Sequence, residues 1–120
     1  GTTSSLPQEH VDVFLHEGLI DDAIAVVSRA HTGHTLVEQV VDVALATRPD
    51  WVIEACRRQA EPIMDGGKAQ YYEAAAAWLA RARSAYRVAG REGEWRPYLE
   101  AQIERHRRKY KLRPLLEALR

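Results

Sequence analysis

Residues 69–89 read AQYYEAAAAWLARARSAYRVA, and this stretch decides the fold class. It holds neither proline nor glycine, and alanine, the strongest helix former, fills its centre. Tyr72, Ala75/Ala76, Leu79, Ala82 and Tyr86 recur at helical spacing and predict one apolar stripe. Tyr71, Ala74, Trp78 and Ala85 predict a second. A helix apolar on two sides is buried between neighbours on both. The run Ala74–Ala77 would let adjacent backbones approach closely.

Gly and Pro cut the rest of the chain into short pieces of the same kind, at Pro7, Gly18, Gly33, Pro49, Gly66-Gly67, Gly90, Gly93 and Pro114. The apolar spacing between these breaks predicts helices over 7–17, 21–30, 35–46, 50–66, 94–110 and 113–119. Ser5 or the Leu6-Pro7 pair starts the first, and Asp21 is the expected cap of the second. Ala23, Ile24 and Val27 form the stripe of the second helix; Val37, Val40, Val41, Ala44 and Leu45 form that of the third. In the fourth, Trp51, Val52, Ala55, Cys56, Gln59, Ile63 and Met64 share a face. Pro62 removes a backbone hydrogen bond there and predicts a kink or an early end near Ala60. Trp95, Leu99, Ile103, His106 and Tyr110 line the sixth helix; Leu112, Leu115, Leu116 and Leu119 line the last. About seven helices with short turns give an all-α fold of antiparallel helical hairpins, a right-handed α-solenoid like that of tetratricopeptide (TPR) repeats. The expected repeat period is not clean. Residues 7–120 read as a single α-helical repeat domain, and 1–6 as a disordered or engineered N-terminal tail.

With 120 residues, the chain suits one domain. Its longest apolar runs are broken by charges well short of a membrane span. The N-terminal residues lack the pattern of a signal peptide. One cysteine, Cys56, forms no internal disulfide and no metal-binding pair, which suits a reducing cytoplasm. The leading Gly reads as excision from a longer protein.

Candidate chemistry is sparse. His31 and His34 stand three apart across a turn, whereas zinc needs three or four ligands in a tetrahedron. A helical metal enzyme using this pair and a carboxylate is the remaining catalytic reading. Glu100 and Glu104 have no matching Glu-x-x-His for a di-iron site. Cys56, on an interior face with no adjacent base, reads as packing, and His106 as a histidine hydrogen-bonded at a helix interface. Gly66-Gly67-Lys68 reads as a turn more than as an anion loop. The chain is therefore expected not to be an enzyme and to need no cofactor. Among the aromatics, Tyr71 and Tyr98 are the least firmly placed in the core, which makes them candidates for a peptide-binding groove.

Charge is the unusual signal. The net charge is zero, but residues 1–60 hold 4 Lys/Arg against 9 Asp/Glu, and residues 61–120 hold 13 against 8. The positive half peaks in Arg105, Arg107, Arg108, Lys109, Lys111 and Arg113. Such a cluster can contact an acidic protein or peptide, or nucleic-acid phosphates with a steep salt dependence. The ordinary alternative is a solvated helix end, where cations are favoured anyway. The opposed halves also permit self-association between copies.

Two stretches carry a resemblance. Residues 68–83, from Lys68-Ala69-Gln70-Tyr71-Tyr72 to Trp78-Leu79-Ala80-Arg81-Ala82-Arg83, are similar to the C-terminal region of bacterial SWIM zinc finger proteins. Residues 86–119 are similar as well, through Gly90-Arg91-Glu92-Gly93-Glu94-Trp95 and His106-Arg107-Arg108-Lys109-Tyr110-Lys111-Leu112. Earlier residues match only in general style. The resemblance implies a helical, TPR-like region that follows the finger in a cytoplasmic protein and binds protein or nucleic acid. The finger's CxC and later Cys-x-His are absent here, so any zinc belongs to residues outside this sequence. These readings converge on a non-catalytic interaction scaffold, with a nucleic-acid-binding module as the alternative.

Overall fold

The structure is a computed structural model and describes residues 6–29 and 32–120. Ser5, Ala30, His31 and the tail up to residue 5 lie outside the described residues, and with them the Ser5 cap and the His31 half of the histidine pair. Among the described residues there are seven α-helices, one 3-10 turn and no strand, so the all-α expectation holds. The sequence reads as one repeat domain over 7–120; backbone contacts gather into two compact units, the first running to Ala44 and the second Leu45–Arg120.

In the first unit, α1 spans Pro7–His16, α2 Ile20–Arg29 and α3 His34–Ala44. Leu6 is extended and Pro7 occupies N1, where its missing N–H and fixed φ suit a helix start. Gly18 ends the element at φ 75°, a left-handed conformation that favours glycine, and Leu19 donates to the Phe14 carbonyl at 2.7 Å. Helix α2 then starts at Ile20, one residue before the expected Asp21 cap, because the Leu19 carbonyl accepts the Ala23 N–H. Each of the three helices touches the other two. Val11, Ala23, Val26, Val27, Leu36, Val37, Val40, Val41 and Ala44 are buried between them. Ile24 is only half-buried and Val26 takes the inner place expected for it.

The second unit holds α4 (Pro49–Gly66), a 3-10 turn (Ala69–Tyr71), α5 (Tyr72–Val88), α6 (Glu92–Arg105) and α7 (Arg113–Glu117). Helix α5 packs on α4, α6 and α7. Its interior is one broad face of Tyr72, Ala75, Trp78, Leu79, Ala82, Ala85 and Tyr86, while Ala74 and Tyr71 are exposed. The second predicted stripe thus merges with the first through Trp78 and Ala85. Burying each large side chain in this face contributes about 1.5–3 kcal/mol. Helix α4 does not stop near Ala60: it continues through Pro62 to Gly66. Pro62 and Arg58, whose carbonyl loses its N–H partner, are exposed, while Ala60 and Met64 are buried. The loss therefore falls on the side where water compensates, and packing holds the helix together. Gly67 ends it at φ 70°.

Helix α6 departs furthest from expectation. It ends at Arg105 rather than Tyr110, and residues 106–112 follow as successive turns. The cause is Leu112, 0% exposed: the chain must turn to bury it with Leu116 and Leu119. Tyr110, expected on the apolar stripe, is 78% exposed.

Candidate functional site

The basic segment stands on this turn structure. His106 closes α6, its N–H bonded to the Gln102 carbonyl at 3.0 Å, and its ring is buried. Contrary to the sequence expectation, neither ring nitrogen has a hydrogen-bond partner among the described residues; an Asp65 carboxylate oxygen lies 3.6 Å from Nε2. Burial and, after it, the neighbouring Lys109 charge hold the His106 pKa below its ordinary value, Arg105 adds to this, and Asp65 opposes it. Lys109 turns inward and donates Nζ to the Met64 carbonyl at 2.6 Å. Met64 lies in the last turn of α4, where carbonyls lack intrahelical donors and a cation is favoured. Lys109 thereby ties the basic segment to the end of α4.

The other cations of the cluster divide into engaged and free. Arg105 pairs with Asp65 at 3.1 Å and Arg107 with Glu104 at 3.1 Å. Arg113 lies 3.8 Å from Glu117 and donates to the Arg107 carbonyl at 3.3 Å. These exposed pairs contribute little and can be exchanged for an incoming anion. Arg108 and Lys111 are exposed and make no hydrogen bond or ion pair among the described residues; between them stands Tyr110. With His106, Lys109 and Leu112 anchored, the segment presents two unspent cations and an aromatic ring on a fixed backbone.

Tyr71 and Tyr98 are not brought together. Tyr71, in the 3-10 turn, is 51% exposed and makes no ring contact with Tyr98. Tyr98 is half-buried inside a closed network. Its hydroxyl donates to Glu61 Oε2 at 2.7 Å, and the Arg57 guanidinium lies over its ring at 4.2 Å. Arg57 also pairs with Glu61 at 3.1 Å and donates to the Tyr86 hydroxyl at 3.4 Å. Tyr86, Trp95 and Tyr98 pack as tilted rings with centroids 5.8–6.4 Å apart. Burial, then the hydrogen bond to Glu61, pushes the Tyr98 phenol well above its ordinary pKa, so it stays a neutral donor. Sequence reasoning missed this network; the i, i+4 spacing of Arg57 and Glu61 was its one local signal.

A polar cleft of about 190 Å³ lies beside the network, lined by Glu61, Asp65, Gln102 and Arg105. Among the described residues no group of three or more His, Cys, Asp or Glu is placed to hold a metal ion, and no helix is long and apolar enough to cross a membrane. His34 is exposed at the start of α3, and Cys56 is fully buried in α4. The chain matches no family model, no curated protein and no solved structure.

Proposed function

We propose that this chain is a non-catalytic interaction module whose second unit docks an acidic protein segment on residues 105–113. One observation carries the reading: Arg108 and Lys111 flank the 78%-exposed Tyr110 on a backbone anchored by His106, Lys109 and Leu112. A surface ordered before binding loses less entropy when a partner arrives. In the finer form of this reading, consecutive helices packed as hairpins form a TPR-like array. It would be the C-terminal region of a cytoplasmic bacterial SWIM zinc finger protein, as residues 68–83 and 86–119 suggest. Self-association through the opposed charge of the two halves belongs to the same proposal.

A second reading has its own support. An exposed tyrosine between cations is the arrangement on which single-stranded bases stack. The two are separated by titrating the chain with a glutamate-rich peptide and with a short single-stranded oligonucleotide over a range of salt. The first reading expects saturable peptide binding that Arg108→Glu with Lys111→Glu abolishes, with the fold unchanged by circular dichroism. Peptide binding untouched by the double variant would end it. Preferential oligonucleotide binding, with log affinity falling by several units per log unit of salt, would establish the second instead.

A further inference from the structure

A cleft of about 250 Å³ opens in the second unit, lined by Arg83, Arg87, Glu92, Trp95, Arg96 and Arg120. Four guanidinium groups face a single carboxylate in its wall. Their commitments differ. Arg96 and Arg120 share Glu100, at 3.1 and 2.8 Å. Arg87 reaches Glu92 only at 3.7 Å, and both side chains are mostly exposed. Arg83, half-buried, spends one N–H on the Leu119 carbonyl at 3.2 Å and pairs with no carboxylate among the described residues. The buried Trp95 indole donates to the same carbonyl at 3.4 Å and gives the cleft an apolar wall.

A partly desolvated guanidinium with unused donors calls for an anion, and the planar fork of arginine matches tetrahedral oxyanions. Arg83 and Arg87 are the two cations whose charge is least taken up, which matches a group carrying two negative charges and several acceptor oxygens. The cavity lies just below the range that holds drug-sized ligands, so the occupant is small or is the tip of something larger. We propose that this cleft binds a phosphomonoester dianion, held by Arg83 and Arg87 with Arg96 and Arg120 behind them and Glu92 displaced. The group could reach it as a free phosphate ester or as the phosphorylated side chain of a peptide. The proposal uses none of residues 105–113 and stands or falls apart from the docking reading.

Trp95 supplies the test. The intact chain is titrated with inorganic phosphate at constant ionic strength in chloride, while the three tryptophan indole N–H signals are followed by NMR. The expected result is a saturating shift of the Trp95 signal with Trp51 and Trp78 still. Arg83→Gln and Arg87→Gln should each weaken binding about tenfold, and Glu92→Gln should tighten it severalfold. Should Arg83→Gln loosen the fold, Arg87→Gln and Glu92→Gln, both at exposed side chains, decide the matter. A shift that never saturates, equal shifts at all three indoles, or affinity indifferent to Arg87→Gln and Glu92→Gln would overturn the proposal. A phosphoserine pentapeptide then names the source. Binding tighter than inorganic phosphate, lost in the unphosphorylated peptide, supports a protein ligand; binding no tighter supports a small phosphate ester.

Discussion

The two units solve the same problem with different materials. The first buries valine, alanine and one leucine, with Phe14 only half-buried; the second buries Tyr72, Trp78, Tyr86 and Trp95 beside its leucines. Charge divides along the same boundary. Residues 1–44 hold one Lys/Arg against seven Asp/Glu, and residues 45–120 hold sixteen against ten. The neutrality of the chain is therefore cancellation between two differently built units. Large aromatics bring polar tips that need partners, and the second unit supplies them in Arg57, Glu61 and the Leu119 carbonyl. A valine and alanine core makes no such demand. Candidate binding features accordingly gather in the second unit.

The two cores should respond unequally to truncation. Leu99→Ala, at a fully buried position of α6, should destabilise the second unit by about 3 kcal/mol. Val40→Ala, equally buried in α3, should cost the first about two thirds as much, since about two carbons rather than three are removed. Amide exchange followed helix by helix would measure both; equal losses would show that the units do not differ in what packing contributes. Next in size is Tyr98→Phe, which leaves the Glu61 carboxylate without its phenol donor. A loss of about 1–2 kcal/mol in urea unfolding is expected, and no change would reduce the network to incidental contact.

A smaller effect concerns pH. The folded state holds the His106 pKa below the unfolded value near 6.5, so the unfolded chain takes up the proton first. Stability from this group is full above that value and falls as pH drops through it towards the folded pKa. His106→Leu should flatten the decline between pH 7 and 5, with Asp65, Arg105 and Lys109 left in place. An unaltered slope would move the effect to other groups. The smallest change is expected at Arg108 and Lys111: replacing both with Glu should alter stability by no more than about 0.5 kcal/mol. A larger loss would mean that they support the fold rather than face a partner.

The fold class was legible because helical spacing and Gly/Pro breaks are local signals. Pro62 and the end of α6 were not, and both for a non-local reason. Whether a proline breaks a helix depends on which side faces water, and whether residues 106–110 stay helical depends on where Leu112 finds a core. The candidate surface was legible as charge but not as geometry. Sequence gives six equivalent cations over 105–113, whereas Lys109 is consumed by a carbonyl 45 positions back and only Arg108 and Lys111 are left unspent. The arginine cleft is not legible in the sequence, since Arg83, Arg96 and Arg120 are brought together only by the packing of three helices.

Helix α7 has five residues, too few to pass the nucleation barrier of an isolated helix. Its end is held from outside, by Arg83 and the Trp95 indole on the Leu119 carbonyl. Those donors sit on α5 and α6, so α7 draws its hold from the two longer helices. It is the shortest α-helix of the second unit, and its hold on the fold rests on contacts from its neighbours. Arg83 and Trp95 also line the arginine cleft, so a ligand held there would fix the donors that hold the Leu119 carbonyl and slow the fraying of α7.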